Sequence, residues 1–248
     1  MFKMTYDGTE LLMLVLIISI FTIIQSLFGV GLLVFGTPTL LLLGYSFPEA
    51  LTYLLPSSIS VSFFQVRDRW DKISLYRLNV FYFLLPMVAI GLLVVLYSSI
   101  FNLYLLIGIM LLLTSVIRFS TSLNESFATL LANNFKIGLA IVGFIHGLTN
   151  LGGAPLVAIT TGIYNKKTKV QANIAYAYLT MAAVQTIILI ATGEFIFNIT
   201  SLLLPFCSVV IYFLIGKQVF ENTDEIIYHH LMTFFIFGYG ILLIFNSF

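Results

Sequence analysis

Two stretches hold the residues whose types and spacing could do chemistry. In Ile141-Val-Gly-Phe-Ile-His-Gly-Leu-Thr-Asn-Leu-Gly-Gly-Ala-Pro155, an apolar run is interrupted by an amide, paired glycines and a proline. A fainter copy, Gln25-Ser-Leu-Phe-Gly-Val-Gly-Leu-Leu-Val-Phe-Gly-Thr-Pro38, lies near the front. A helix broken in this way exposes free N–H groups and a positive dipole end at the start of its second arm. Such an end is a ready anion site. Gly29, Gly31, Gly152 and Gly153 would let a ligand come close to the backbone. No lysine or arginine falls mid-way along any apolar run, so a bound anion would be held by N–H groups, amides and hydroxyls. Gln25, Ser26, Thr149 and Asn150 are the candidates at the breaks, and Ser57, Ser58, Asn173, Tyr176 and Gln185 those on the helices that follow. A site without fixed cations suits a protein that must also let its ligand go.

Each candidate has a plainer reading. Serines in membrane helices commonly bond their own backbone, which would account for Ser57 or Ser58. Gly91, Gly108 and Gly138 read as places where helices pack closely. His146 is either a proton-coupling group or a neutral buried imidazole, and His229-His230 read as interfacial. Pro155 fits the first turn of a helix, whereas Pro38 lies deep enough to kink one.

The elements that must position these residues are membrane helices. Hydrophobic residues make up 60% of the 248, charged residues 8%, and mean hydropathy is +1.09. Soluble domains carry about 25% charge, so lipid must solvate most of this surface. The net charge of +1 offers nothing to a nucleic acid. One cysteine, Cys207, excludes an internal disulfide and reads as a packed thiol. Leu11–Phe28 follows Asp7 and Glu10 instead of a basic segment, so it reads as mature structure and not a cleaved signal.

Apolar runs long enough to span about 30 Å of hydrocarbon fall into two similar series. The first is a hairpin over 11–44 with spans 48–66, 75–97 and 100–118. The second is a hairpin over 136–164 with spans 168–192, 195–216 and 226–246. Gly31 precedes Gly152 by 121 positions, and Leu84-Leu85-Pro86 precedes Leu203-Leu204-Pro205 by 119. The chain therefore divides into repeats 1–122 and 123–248.

Whether each interrupted run crosses once or returns to its own side is decided by the basic residues, which accumulate in cytoplasmic loops. With both runs as hairpins, Arg67, Arg69, Lys72, Arg77, Arg118, Lys136, Lys166, Lys167, Lys169 and Lys217 share one side and only Lys3 is opposite. Single crossings would split the same residues seven to four. The hairpin scheme puts both termini, Glu49 and Glu194 outside, and positions 47 and 166 on opposite faces. Three net crossings per half then make the repeats inverted. The expected fold is an all-α polytopic membrane protein of two inverted-topology repeats, each a broken, re-entrant hairpin plus three transmembrane helices. In such proteins substrate sits near the midplane, between the repeats.

At the hairpins the sequence resembles the TauE/SafE sulfite exporter family, also called the 4-toluenesulfonate uptake permease family. The better match is His146-Gly-Leu-Thr-Asn-Leu-Gly-Gly-Ala-Pro155, followed by Gln171-Ala-Asn173. The first copy, with Pro48-Glu-Ala50 after it, lacks the glycine doublet. The resemblance implies an inner-membrane permease for sulfite, sulfonates or other small anions, working by alternating access and coupled to an H+ or Na+ gradient. A homodimer is compatible with it, and no cofactor or metal is expected. Two other classes stay open. A passive channel could be lined by the same tips. An intramembrane enzyme would need a catalytic constellation, and neither H-E-x-x-H nor G-x-S-x-G occurs.

Overall fold

The computed structural model describes residues 8–73, 76–98, 102–164, 166–222 and 237–247. Lys3, His229 and His230, and most of the expected span 226–246, lie outside them. The described residues are helical, without strands.

In chain order the helices are α1 (Gly8–Phe28), α2 (Leu32–Leu42), α3 (Phe47–Asp68), α4 (Tyr76–Asn79), α5 (Leu85–Tyr97), α6 (Leu103–Phe119), α7 (Thr121–Asn133), α8 (Phe135–Thr149), α9 (Gly153–Ile163), α10 (Lys167–Thr192), α11 (Ile199–Ile211) and α12 (Lys217–Asn222), with a further helix over 237–245. Turns of π-helix at Val80–Leu84 and Tyr212–Gly216 join their neighbours into continuous spans, Arg77–Tyr97 and Ile199–Asn222. Those two, with α1 and α10, are long and apolar enough to cross a membrane, and α6 with α7 would make a fifth. The chain is thus a multi-pass membrane protein.

The first arm of hairpin one, α1, has 21 residues and full crossing length. The polar segment between the expected span 100–118 and hairpin two is a helix in its own right, since α7 turns 108° away from α6 and packs on α9. Gly162 makes that contact close, because a Cβ there would lie 3.1 Å from the Cβ of Ala132. Cys207 is half-buried.

The bundle has two chemically distinct ends. At one, the Tyr45 hydroxyl donates to Glu10 at 2.8 Å, the Ile196 N–H donates to Thr52 at 3.3 Å, and Asn102 donates to the Ser247 carbonyl at 3.0 Å. Burial and then Glu10 raise the Tyr45 phenol above its usual pKa, so it stays a donor. Glu49 and Glu194 share the wall of a cavity of about 530 Å³ there. At the other end, Lys217 meets Asp68 at 3.5 Å, Arg77 stacks on Trp70, and Arg69 and Lys167 both lie against the ring of Phe220, at 4.5 and 4.4 Å. α3 joins the two ends. It starts at a capping box between Ser46 and Glu49 and stops at Asp68, and its 22 residues span about 33 Å. Hairpin one opens toward the acidic end, where Tyr45 returns to Glu10. Hairpin two opens toward the cationic end, where Lys167, four residues past α9, donates to the Phe220 carbonyl at 2.8 Å.

The hairpins lean on the second span after the hairpin in the opposite half, α8 on α5 and α1 on α11. The first of these contacts is backbone against backbone. A Cβ on Gly143 would lie 2.3 Å from the Leu84 carbonyl oxygen, and one on Gly147 would lie 2.3 Å from that of Val88. This spacing is a G-x-x-x-G face, which stabilises membrane helix pairs by allowing close approach. Gly147→Ala should therefore lower stability by about 1–3 kcal/mol, since the helices must separate to admit the methyl. Thermal unfolding in detergent checks this, and an unchanged midpoint would mean the interface is slack.

Candidate functional site

Both hairpins break in the same way. α1 ends at Gly29 (φ 72°) and α8 at Asn150 (φ 64°), each in the left-handed region. The Gly29 N–H bonds the Gln25 carbonyl and the Asn150 N–H bonds that of His146, both at 2.8 Å. Asparagine is one of the few side-chain-bearing residues that tolerate this conformation. The return helices α2 and α9 each have 11 residues and start 121 positions apart. Gly31 must stay small, because a Cβ there would lie 2.6 Å from the backbone N of Gln25.

The two return helices begin side by side. A Cβ on Gly153, the first residue of α9, would sit 2.6 Å from Cγ2 of Val34 and 3.4 Å from Cβ of Val30 in the first tip. Neither Gly31 nor Gly152 offers a side-chain cap, so the opening N–H groups of both helices lack that partner. Two positive dipole ends are thereby brought together inside the protein. Residues 29–38 and 146–153 are buried throughout.

Asn150 bridges the tips. Its Nδ2 donates to Thr37 Oγ1 of α2 at 3.0 Å, and its Oδ1 accepts from Nε2 of Gln185 in α10 at 3.0 Å. Thr149 supports the turn, accepting from the Leu151 N–H at 3.2 Å. His146 lies behind it, fully buried, its ring edge-on to Tyr178 at 5.4 Å. Neither imidazole nitrogen meets hydrogen-bond geometry, although Gln185 is close enough to interact with the ring. Gly152 packs on this histidine, with a Cβ there 2.6 Å from the His146 Cβ.

The first tip has its own polar cluster. Gln25 Nε2 donates to Ser58 Oγ and Ser62 Oγ, each at 3.1 Å, and its Oε1 accepts from Ser58 at 3.2 Å. Gln65 Nε2 donates to the carbonyls of Gln25 and Ser26, at 3.0 and 3.2 Å. Gln171 Nε2 donates to those of Ser26 and Leu27, at 2.6 and 3.3 Å. The carbonyls left over where α1 stops are thus covered by amides from α3 and α10.

The structure brings Thr149, Asn150, Gly152, Gly153, Gln185 and His146 together at one tip, and Gln25, Gly29, Gly31 and Ser58 at the other. It sets three candidates apart. Asn173 donates to the carbonyls of Lys169 and Lys72, at 2.8 and 3.4 Å, and Tyr176 faces Trp70 at the cationic end. Ser57 bonds the Tyr53 carbonyl of its own helix at 3.4 Å. Sequence reasoning missed Thr37, Ser62, Gln65 and Tyr178. For Gln65 a signal existed, because it precedes Gln185 by 120 positions, close to the spacing of the hairpins.

A cavity of about 330 Å³ reaches the second tip from the side, walled by α6 to α9 and ending on Leu151, Ala154 and Pro155. Among the described residues no three histidine, cysteine or acidic side chains cluster as a metal site. Compared with known proteins, the chain matches the family model described as Sulfite exporter TauE/SafE over residues 14–243. No curated protein and no solved structure matches it.

Proposed function

Because this chain belongs to the TauE/SafE sulfite exporter family, we propose that it is a secondary transporter that carries a small sulfur oxyanion, sulfite or an organosulfonate, across the cytoplasmic membrane by alternating access. The observation that carries this reading is the apposition of two uncapped helix N-termini at Gly153 and Val34. Backbone N–H groups hold the anion, and the Asn150 amide, tied to Thr37 and Gln185, sets the distance between the tips. No cationic side chain is needed, so binding stays weak enough for release.

The opposite openings of the hairpins support reading the halves as inverted repeats. The gathering of Arg69, Arg77, Lys167 and Lys217 at one end supports placing that end in the cytoplasm, with both termini outside. Transport draws on an ion gradient, and the protein performs no bond chemistry on its substrate.

Counterflow in proteoliposomes tests this. Preloading with unlabelled sulfite or sulfonate should accelerate uptake of the labelled anion, which a channel would not show. Absence of uptake for every sulfur oxyanion tried would overturn the assignment. In a Cys207→Ser background, Glu194→Cys and Lys166→Cys should react with an impermeant reagent from opposite sides. Reaction of both from one side would refute the topology.

A further inference from the structure

From the end of α1 we infer a binding site for a sodium ion, built from the carbonyl oxygens of Gln25, Ser26 and Leu27 and the side-chain oxygens of Gln65 and Gln171. This rests on the transporter reading and names the ion that drives it. Where α1 breaks, the Ser26 and Leu27 carbonyls lose their helical N–H partners and carry the negative end of a 21-residue helix dipole. Hard cations take oxygen ligands, and unwound carbonyls at broken-helix C-termini are where transporters hold Na+.

The second observation is independent of the helix end. Gln65 and Gln171 come from different halves of the chain, and both place a carboxamide on the same Ser26 carbonyl. Both side chains are buried, 0% and 3% exposed, and the Oε1 of each has no hydrogen-bond partner. A buried acceptor left without a donor costs about 1–3 kcal/mol, and here two such oxygens belong to the carboxamides whose NH2 groups meet at one carbonyl. Rotating each carboxamide about its last torsion exchanges nitrogen for oxygen at nearly unchanged shape. With no cation bound, the NH2 groups cap the carbonyls. With one bound, the two oxygens replace them and complete a shell of five neutral ligands.

The site links α1, α3 and α10, so filling it clamps the first hairpin to both halves. Gln25 fixes α1 to α3 through Ser58 and Ser62. Gly216 closes the far side, where a Cβ would fall 2.2 Å from Ser26 Oγ. A cation held here sits behind the positive ends of α2 and α9 and offsets the charge of the anion carried in front of it. The second tip differs: His146 and Asn150 replace Gln25 and Gly29 at the corresponding positions, and Gln185 spends its NH2 on a side chain and not on carbonyls.

The test is the thermal unfolding midpoint of the purified full chain in NaCl, KCl or N-methylglucamine chloride at equal ionic strength. Sodium should raise the midpoint by about 5 °C at saturation. Gln65→Leu and Gln171→Leu should lose that response, whereas Gln171→Glu should keep it and saturate at least tenfold lower in sodium. If the amides serve only as caps, Gln171→Glu destabilises equally in all three salts, and the proposal fails. Should the leucine variants not fold, binding of radioactive sodium by the wild type decides: saturable binding sustains the site and its absence overturns it. Anion transport that runs on a pH gradient without sodium would also overturn it, in favour of His146, while leaving the transporter assignment intact.

Discussion

Asn150→Gly is expected to abolish anion transport and leave the protein folded. Glycine keeps the left-handed turn at φ 64° but removes the side chain that ties α2 to α10. Gln185 Nε2 then loses its acceptor and Thr37 its donor, at about 1–3 kcal/mol for each buried group left unpaired. If about 3 kcal/mol of this anchoring defines the tip geometry, transport falls on the order of 100-fold. Asn150→Leu should be inactive as well and less stable than the glycine variant, because a branched side chain in that conformation costs a further 1–2 kcal/mol or so. Initial rates in liposomes alongside unfolding midpoints check both. Near wild-type flux in Asn150→Gly would remove the bridge from the mechanism.

Gly153→Leu is the second large effect. The first carbon of any side chain there falls 2.3 Å from the Tyr178 hydroxyl and 2.6 Å from Val34 Cγ2. Tyr178 is fully buried and cannot swing out, so the strain falls on the contact between the tips. Pushing α9 from α2 separates the two N-termini that would share the anion. Gly153→Ala should lower the transport rate about tenfold, at a stability cost of about 1–3 kcal/mol, and leucine should eliminate transport and substrate-induced stabilisation together. Unchanged substrate affinity in the leucine variant would show that the tips need not meet.

The breaks were legible because glycine, asparagine and proline stand out in apolar surroundings. Gly31 and Gly152, matched by spacing alone, turn out to be the residues preceding two helices of equal length. Helix ends were legible for the same reason: α10 runs from Lys167 to Thr192, where the apolar run begins and ends. Rotation was not. α10 carries Asn173, Tyr176 and Gln185 on a helix apolar all round, so nothing in its periodicity says which residue faces the tips. α3 posed the same problem, since Ser57 and Ser58 were equal candidates, yet it is Ser58, with Ser62 and Gln65, that turns to α1. The depth of hairpin one was hidden too, because Gln65 and Gln171 satisfy the end of α1 from outside its own sequence.

The exchange of supports between halves has a cost during synthesis. α1 and its turn rest on α11 and α12 and on Gln171 of α10, which leave the ribosome up to roughly 190 residues later. At about 5–20 residues per second, that is a delay on the order of 10–40 s. For most of it the Ser26 and Leu27 carbonyls lack the amide from α10, so the newborn amino-terminal half must be sheltered from lipid by the insertion machinery until its later-made counterpart arrives.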